Sequence, residues 1–305
     1  MTERPAGTAP ASASTEATGT QAAKDPAGAA DSRTQLGALP PLPAFRHGEV
    51  WLAGAGPGAP ELLTLAAWHA LQQADVIVHD ALVSEAVLAL ASESAQRRPV
   101  GKRGGDPASV PQAEITETLI DLARQNLRVL RLKGGDPFLF GRGPEEARAL
   151  MQAGIPFRVI PGIPAGIGGL ALAGIPVTTG ETNSSVLFLT GHDASGDLPA
   201  LDWPAIARAG EVIVLYMGLR KARAIAARLL AAGRAGNTPV AFVSRASLPD
   251  QSVAETTLAG LVEGRQDPAA IPRPALVVIG ATVPWRQWLA LDPSPSDGNR
   301  EDDRG

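Results

Sequence analysis

The chain of 305 residues contains no cysteine. It therefore has no disulfide framework, no thiolate nucleophile and no thiolate metal site. Neither a GxSxG elbow nor a Walker loop occurs, and the four histidines show no metal-ligand spacing: His47, His69, His79 and His192. These absences argue against hydrolase chemistry, and no metal cofactor is expected.

An excess of basic residues is also missing, because 27 Lys and Arg face 31 Asp and Glu, for a formal net charge of −4. A general nucleic-acid-binding protein would normally carry a basic excess, so no nucleic-acid partner is expected. No run approaches the roughly 18 apolar residues that span a bilayer, and the N-terminus lacks the apolar core of a secretory signal. We expect a cytoplasmic protein without a membrane partner.

Both ends of the chain have too few large apolar residues to build a folded core. Residues 1–42 are rich in Ala, Thr, Ser, Pro and Gly, and residues 292–305 have the same character. Chains of this composition cannot bury enough apolar surface to offset the entropy that is lost on folding. The sequence therefore predicts a disordered tail at each end.

Between these tails, short apolar runs alternate with longer helical patterns. The runs lack polar alternation, as is typical of strands that are covered on both faces. The predicted strands are Val50–Gly54, Asp75–His79, Leu127–Leu132, Phe157–Ile160, Val186–Thr190, Glu211–Tyr216, Pro239–Ser244 and Ala275–Gly280. In the helical segment 111–125, Ile115, Leu119 and Leu122 fall on one face. This alternation predicts an α/β fold with mostly parallel sheets.

The strand-helix pattern stops once and then begins again. The stretch "AGIPVTTGETNSS", rich in Gly, Thr, Asn and Ser, separates the two series. We interpret it as a domain junction, which predicts an N-terminal α/β domain over 48–178 and a C-terminal α/β domain over 183–284.

The first predicted strand runs into the glycine-rich turn "AGAGPGAPELLTL". Glycines at 54, 56 and 58 let the backbone approach a ligand closely, and a helix N-terminus follows. The turn is not a GxGxxG dinucleotide fingerprint, and Pro57 has no N–H to donate. Taken alone, such a turn is more often a structural connector.

Several polar residues follow predicted strands, where ligands bind in open α/β sheets. Asp80 follows "ADVIVH"; it is either a functional carboxylate or, more commonly at such a junction, a helix cap. Lys102 and Arg103 follow "RRPVG", and the alternative for them is a solvated turn. Asp136 follows "RVLRLKGG", where Arg131 and Lys133 alternate with apolar residues and could mark a strand edge.

The motifs become specific in combination. "VWLAGAGPGAPELLTLAA", "ADVIVHDALVS", "VGKRGG", "RVLRLKGGDPFLFGRGPEEA", "AGIPFRVIPGI", "LALAGIPVT", "FLTGHD" and "VLYMGL" occur in this order. The chain thereby resembles the tetrapyrrole methylase family from about 49 to 284, and within it the uroporphyrinogen-III C-methyltransferases.

The resemblance implies two consecutive α/β domains with a cofactor cleft between them, and a homodimer. It implies S-adenosyl-L-methionine as methyl donor, S-adenosyl-L-homocysteine as product and no metal. The expected activity is methylation of uroporphyrinogen III at C2 and C7, which gives precorrin-2 for cobalamin or sirohaem. The alternatives are a methylase acting on a later precorrin and a catalytically silent homologue that only binds the cofactor.

The family's site residues carry over onto matching positions of this chain. Asp80 matches the proposed proton acceptor and Lys102 the proposed proton donor. The implied cofactor contacts are Pro57, Gly134, Gly135, Asp136, Leu139, Pro164, Ala165, Met217 and Ala246. Because the substrate is rich in carboxylates, the candidates for binding it are cations: Arg103, Lys133 and Arg142.

The chain departs from the family pattern near the expected cleft. Thr179 and Gly180 replace a usual His-Arg pair, Pro164 replaces a threonine and Ala81 replaces an arginine. The loss of cations is expected to shift more of the carboxylate recognition onto Lys133 and Arg142.

Overall fold

The computed structural model describes residues 41–101, 110–192 and 196–289. Nearly all of the predicted tail over 1–42, the whole of the tail over 292–305, and the predicted site residues Lys102 and Arg103 lie outside these ranges. The described residues from Leu42 onward belong to one compact unit. Within the described ranges, no helix is both long enough and apolar enough to cross a bilayer.

The first half of the chain forms an all-parallel sheet. Its strands are β1 (Val50–Gly54), β2 (Val76–His79), β3 (Gln96–Pro99), β4 (Val129–Lys133) and β5 (Phe157–Ile160), in the order β3-β2-β4-β1-β5. Each neighbouring pair is parallel. Helices connect the strands: α1 (Leu65–Gln73), α2 (Glu85–Leu88), α3 (Gln112–Arg124) and α4 (Gly143–Gln152).

Both faces of this sheet are covered, which explains its continuous apolar strands. On one face, Trp51, Leu130 and Leu132 pack with residues of α1 and α2. On the other, Val50, Leu52 and Val129 pack with residues of α3 and α4. The predicted amphipathic face of α3 is confirmed, since Ile115, Leu119 and Leu122 are all buried in this second layer.

The second half forms another five-stranded sheet, with the order β6-β7-β10-β8-β9. Its strands are β6 (Val186–Thr190), β7 (Val212–Tyr216), β8 (Pro239–Ser244), β9 (Ser252–Thr257) and β10 (Ala275–Ile279). The helices of this half are α5 (Leu170–Leu172), α6 (Trp203–Ala209), α7 (Ala222–Ala231), α8 (Leu258–Val262) and α9 (Arg286–Leu289). Short 3₁₀ segments lie at Pro60–Leu62, Leu219–Lys221, Pro268–Ala270 and Val283–Trp285, and a π-helical turn at Ala165–Gly169.

The prediction of mostly parallel sheets is wrong for this second sheet. Only β6 and β7 pair in parallel, whereas β10 pairs antiparallel with β7 and β8, and β8 pairs antiparallel with β9. Residues 245–251, between β8 and β9, are too few for the crossover that parallel neighbours need, so the two strands form a hairpin.

Two strands were absent from the sequence prediction, and both are polar edge strands. β3 is exposed at every residue, and every residue of β9 is either exposed or half-buried. The other eight strands lie where the apolar runs predicted them, within two residues at each end.

Candidate functional site

Three glycines bring the carboxyl ends of neighbouring strands into direct backbone contact. A Cβ atom on Gly162 would lie 2.1 Å from the carbonyl oxygen of Gly135, and one on Gly54 would lie 2.4 Å from the same oxygen. Gly56 and Gly135 also exchange two backbone hydrogen bonds, of 3.2 and 2.7 Å. Because no side chain fits here, the turn after β1, the turn after β4 and the loop after β5 meet without a gap.

Asp136 holds this junction together through both of its carboxylate oxygens. Oδ1 accepts the N–H of Phe138 at 2.8 Å, and Oδ2 accepts the N–H of Gly162 at 3.0 Å. The side chain thus closes its own turn and ties it to the loop after β5. The predicted contact of Asp136 with the cofactor stays a prediction, and the structure gives the residue a second task.

The loop after β5 also reaches the second sheet. The Gly166 N–H donates to the Tyr216 hydroxyl at 2.7 Å, and a Cβ on Gly166 would collide with that ring. Phe140 lies 5.2 Å from the Tyr216 ring, measured between centroids. Burial raises the pKa of the Tyr216 hydroxyl above its usual 10.0. Tyr216 therefore joins the end of β7 to two turns of the first sheet.

A second link joins the turn after β1 to the loop after β8. The Ala59 N–H donates to the Ser247 hydroxyl at 3.0 Å, and a Cβ on Gly58 would lie 2.8 Å from the Leu248 side chain. A Cβ on Gly169 would lie 2.6 Å from the Ala246 Cβ. The loop that carries Ala246 therefore lies against both of these first-half segments.

These contacts bring together the chain segments that carry the predicted cofactor-binding residues. A Cβ on Gly135 would lie 3.8 Å from the Pro164 Cα and 4.0 Å from the Ala165 N, and Gly134 packs on Leu82. Met217 follows Tyr216 in a left-handed conformation with a φ of 55°. Large apolar side chains remain exposed around this junction: Leu82, Phe138, Phe140, Ile167 and Met217.

Asp80 faces a buried cluster of charges. Arg131 donates from Nη2 to Asp80 Oδ1 at 2.5 Å, and Lys133 Nζ lies 3.8 Å from Asp80 Oδ2. The cap alternative for Asp80 is wrong, because the Ser84 hydroxyl caps α2 by accepting the Val87 N–H. The Asp80 side chain is 29% exposed, so this carboxylate reaches from the cluster towards solvent.

Arg131 and Lys133 lie inside the sheet and not at its edge. Their strand, β4, lies between β2 and β1, and their side chains are only 2% and 3% exposed. The strand-edge alternative is therefore wrong. Because they are two residues apart, both point to the face covered by α3 and α4.

Glu146, which the sequence analysis did not single out, is the other carboxylate of this cluster. Its Oε1 accepts from Arg131 Nε at 3.1 Å, from Lys133 Nζ at 3.1 Å and from Gln112 Nε2 at 2.9 Å. Its side chain is fully buried. Two charged residues spaced by two in an apolar strand were the available signal, because such a pair needs a buried counter-charge.

The charge state of Lys133 depends on this cluster. Burial lowers the pKa of its amine below the usual 10.5, and the neighbouring Arg131 guanidinium lowers it further. Asp80 and Glu146 act in the opposite direction. The Lys133 amine is buried and already pairs with carboxylates, and the predicted contact of Lys133 with the substrate stays a prediction.

Arg142 differs sharply from Lys133 in its surroundings. It precedes α4 in a left-handed conformation with a φ of 59°, and its side chain is 60% exposed. It forms an ion pair with Glu145, with an Nε to Oε1 distance of 3.7 Å. It also lines a surface groove of about 570 Å³ between α3 and α4, and none of the other predicted site residues with a described position lines that groove. Arg142 is thus available to an anionic ligand.

The predicted residues Lys102 and Arg103 lie outside the described ranges, but the residue before them is placed. A Cβ on Gly101 would lie 2.9 Å from the Ala81 N and 3.4 Å from the Asp80 Cα. The last residue of the first described range, Gly101, therefore lies directly beside Asp80.

Thr179 and Gly180, which replace the His-Arg pair usual in the family, lie in a turn that is closed by its own hydrogen bonds. The Thr179 N–H donates to Asn183 Oδ1 at 3.1 Å, and the Thr179 hydroxyl accepts the Thr182 N–H at 3.0 Å. Asn183 in turn donates to the carbonyl oxygens of Val177 and Ser185. These polar groups are used to close the turn. Among the residues with described positions, no group of three or more His, Cys, Asp or Glu side chains could hold a metal ion.

Comparison with known proteins supports the resemblance. Residues 49–262 match the family model of the tetrapyrrole (corrin/porphyrin) methylases. The chain belongs to the tetrapyrrole methylase family. This result confirms the predicted family and its α/β fold.

Individual members of the family show how far the similarity extends. The chain is 55% identical over 256 residues to a uroporphyrinogen-III C-methyltransferase of Sinorhizobium, covering 82% of this chain and 91% of that protein. It is 48% identical to siroheme synthase 1 of Pectobacterium atrosepticum, over 82% of this chain but only 51% of that protein. The chain thus spans about half the length of the siroheme synthase.

A solved structure extends the likeness to three dimensions. The uroporphyrin-III C-methyl transferase of Thermus thermophilus, crystallised with S-adenosyl homocysteine, superposes with a TM-score of 0.68 at 38% identity. The match covers 77% of this methylase and 99% of the Thermus chain.

Proposed function

We propose that this protein transfers methyl groups from S-adenosylmethionine to C2 and C7 of uroporphyrinogen III, giving precorrin-2. The observation that carries the proposal is the partly exposed Asp80 carboxylate. It is held by buried cations beside a junction of glycine-rich turns that leaves apolar side chains uncovered. The 55% identity to the Sinorhizobium enzyme supports the same substrate.

The turns at this junction fit a cofactor with a flat base, a ribose and an amino-acid end. Glycines 134 and 135 remove side chains where a ligand would lie against the backbone, and Leu139 and Met217 offer apolar surface. Pro57, Asp136, Pro164, Ala165 and Ala246 complete the set that would hold it. When bound, S-adenosylmethionine supplies an electrophilic methyl group and becomes S-adenosylhomocysteine.

Asp80 is proposed to accept a proton from the methylated substrate. An electron-rich pyrrole carbon needs no base in order to attack a methyl group, but the ring must lose a proton afterwards. Oδ1 of Asp80 is bound by Arg131, which leaves Oδ2 as the oxygen that would take this proton. Lys102 is proposed as the proton donor. Alignment of the two reacting carbons would supply much of the acceleration.

Substrate recognition is proposed to rest on exposed cations. Arg142 can pair with a propionate or acetate side chain of the tetrapyrrole, and Arg103 is proposed to do the same. Lys133 is assigned a different task, because its ammonium already pairs with Glu146 and lies near Asp80. It would act on the substrate only through Asp80.

The larger organisation of the protein also stays a proposal. A division into domains over 48–178 and 183–284 is supported by the separate sheet in each part. We further propose that the protein works as a homodimer, for which light scattering should give twice the chain mass of 31.4 kDa.

A product assay tests the proposed reaction. The purified protein is incubated with uroporphyrinogen III and methyl-labelled S-adenosylmethionine under reducing conditions, and we expect a tetrapyrrole that carries two labelled methyl groups. No labelled product from uroporphyrinogen III, with methylation of precorrin-2 or a later precorrin when that compound is supplied as the substrate, would favour the later-acting methylase, a possibility raised by Thr179 and Gly180. Binding of S-adenosylhomocysteine without turnover of any tetrapyrrole would indicate a silent homologue.

A further inference from the structure

Glu146 is a buried carboxylate for which the proposed reaction has no direct use. It lies on α4 with no exposed side-chain surface, and its Oε1 accepts three hydrogen bonds. Its Oε2 is buried without a partner among the residues that the structure describes. Burying a carboxylate is costly unless nearby cations compensate it, so its placement here calls for a reason.

The cations around Glu146 connect it to Asp80. Arg131 binds Glu146 through Nε at 3.1 Å and Asp80 through Nη2 at 2.5 Å, so one guanidinium bridges the two carboxylates. Lys133 is close to both, at 3.1 Å from Glu146 Oε1 and 3.8 Å from Asp80 Oδ2. Two cations are thus shared between two carboxylates, one buried and the other partly exposed.

We propose that Glu146 is a positioning residue for the methyl-transfer reaction: it holds Lys133 back from Asp80 Oδ2 and shares Arg131 with Asp80 Oδ1, so that Asp80 Oδ2 stays available to take a proton. This inference rests on the proposed function, because that function makes Asp80 the proton acceptor. Glu146 touches neither substrate nor cofactor in this assignment and acts entirely through the two cations.

The physical reason is the balance of charge around two buried cations. With Glu146 ionised, the Lys133 ammonium hydrogen-bonds to Oε1 and stays 3.8 Å from Asp80 Oδ2. Without that charge, Asp80 would be the one carboxylate in the described cluster that could neutralise Arg131 and Lys133. Both of its oxygens would be drawn into ion pairs, and a carboxylate held in this way accepts a proton less readily.

The test is the isosteric substitution Glu146→Gln, which removes the charge and keeps an acceptor oxygen. We expect kcat for methylation of uroporphyrinogen III to fall by about tenfold or more. The KM for uroporphyrinogen III and the Kd for S-adenosylhomocysteine should stay within about twofold, because neither ligand meets Glu146. Glu114→Gln, at an exposed position on α3, is the matched control and should leave all three values unchanged.

A double-mutant cycle separates positioning from a general structural role. In an Asp80→Asn background the proton acceptor is already lost, so adding Glu146→Gln should lower kcat by less than about twofold. The same loss in both backgrounds would overturn the proposal, as would an unchanged kcat in the single variant. If Glu146→Gln does not fold, Glu146→Asp keeps the charge, shortens its reach and goes through the same cycle.

The arms of this experiment also separate the two proposals. If the unsubstituted protein does not methylate uroporphyrinogen III, the proposed function fails and the role of Glu146 fails with it. If Asp80→Asn keeps full activity, the assignment of the proton acceptor fails, and the positioning role falls too. If Asp80→Asn is slow and the two substitutions are additive, only the role of Glu146 is rejected.

Discussion

At the scale of single residues, two cations that look alike in the sequence end in opposite environments. Lys133 and Arg142 bracket the glycine-rich turn after β4, and both were candidates for substrate binding. The first is buried in an ion cluster and the second is mostly exposed. An exposed guanidinium can still form a bidentate pair with a ligand carboxylate, whereas the buried ammonium already pairs with a carboxylate of the protein.

Substituting Arg142 by alanine tests its proposed contact with the substrate. We expect the KM for uroporphyrinogen III to rise by about tenfold, with little change in kcat, since one charge-assisted hydrogen bond is lost. Steady-state kinetics measure both parameters. Arg148→Ala, which removes another exposed arginine from the same helix, is the control and should leave them unchanged. An unaltered KM would remove Arg142 from the binding site.

Asp136→Ala tests the carboxylate that closes the turn after β4. In the unsubstituted protein the N–H groups of Phe138 and Gly162 donate to Asp136, and the substitution leaves both without this acceptor. We expect a loss of about 2 kcal/mol in the free energy of unfolding and at least tenfold weaker binding of S-adenosylhomocysteine. Calorimetry of ligand binding and denaturant titration measure the two effects. If affinity were normal in a destabilised variant, the carboxylate would be purely structural.

At the scale of elements, the candidate site depends on strand ends that meet backbone to backbone. Gly54 ends β1, Gly135 follows β4 and Gly162 follows β5, and the closest approach is between the last two. The parallel sheet places these strand ends at one edge, but only glycine allows the loops beyond them to touch.

A methyl group added at this contact should be poorly tolerated. Gly162→Ala would place a Cβ 2.1 Å from the Gly135 oxygen, so the loops must separate. We expect a loss of about 3 kcal/mol or more in stability, or failure to fold. Gly180→Ala is the matched control, because nothing lies within 4 Å of its Cβ position, and it should leave the melting temperature nearly unchanged. Equal melting temperatures for the two variants would contradict the contact.

An ion pair just before the amino ends of β2 and β4 predicts a pH dependence of stability. Arg128 donates to the Asp75 carboxylate through its side chain and its backbone N–H, which lowers the pKa of Asp75 below 3.8. Because the folded pKa is lower than the unfolded one, this stabilisation is present above pH ~4 and is lost as pH falls through the folded pKa.

Asp75→Asn should therefore cost about 1 kcal/mol near neutral pH and progressively less below pH ~4. Denaturant titrations of both proteins between neutral and acidic pH measure this difference. Asp121→Asn, at an exposed position on α3, serves as the control and should show no such convergence. A constant difference between Asp75→Asn and the unsubstituted protein at every pH would contradict the ion pair.

At the scale of the whole molecule, Tyr216 is one of the residues that connect the two sheets. It ends β7, accepts a hydrogen bond from the loop after β5 and contacts Phe140 of the turn after β4. It is also the only tyrosine in the chain, so its ionisation can be followed by absorbance without interference from a second phenol.

The absorbance titration should place the pKa of Tyr216 above 10.0 in the folded protein, because burial disfavours the phenolate. Since the folded pKa is the higher one, the stabilising contribution is present below pH ~10 and is lost as pH rises through the folded pKa. Tyr216→Phe should lower stability by about 1–2 kcal/mol by stranding the Gly166 N–H. A midpoint at the usual value would mean that the hydroxyl is solvated.

The sequence by itself determined the α/β class, the eight apolar strands and the ordered motifs that identify the family. Apolar periodicity and glycine placement are local properties, and they can be recognised in the sequence without knowledge of the fold. Even so, polar edge strands such as β3 carry no such signal, because their side chains are exposed and need not be apolar.

Only the tertiary structure decided which polar residues work together. Arg131 and Lys133 could be an exposed strand edge until the strand order β3-β2-β4-β1-β5 placed them inside the sheet. Glu146 is their counter-charge because α4 packs on the face of the sheet to which Arg131 and Lys133 point. No sequence motif predicts this pairing. Burial changes the pKa and the availability of a charge, and burial depends on what packs above a residue rather than on its neighbours in the chain.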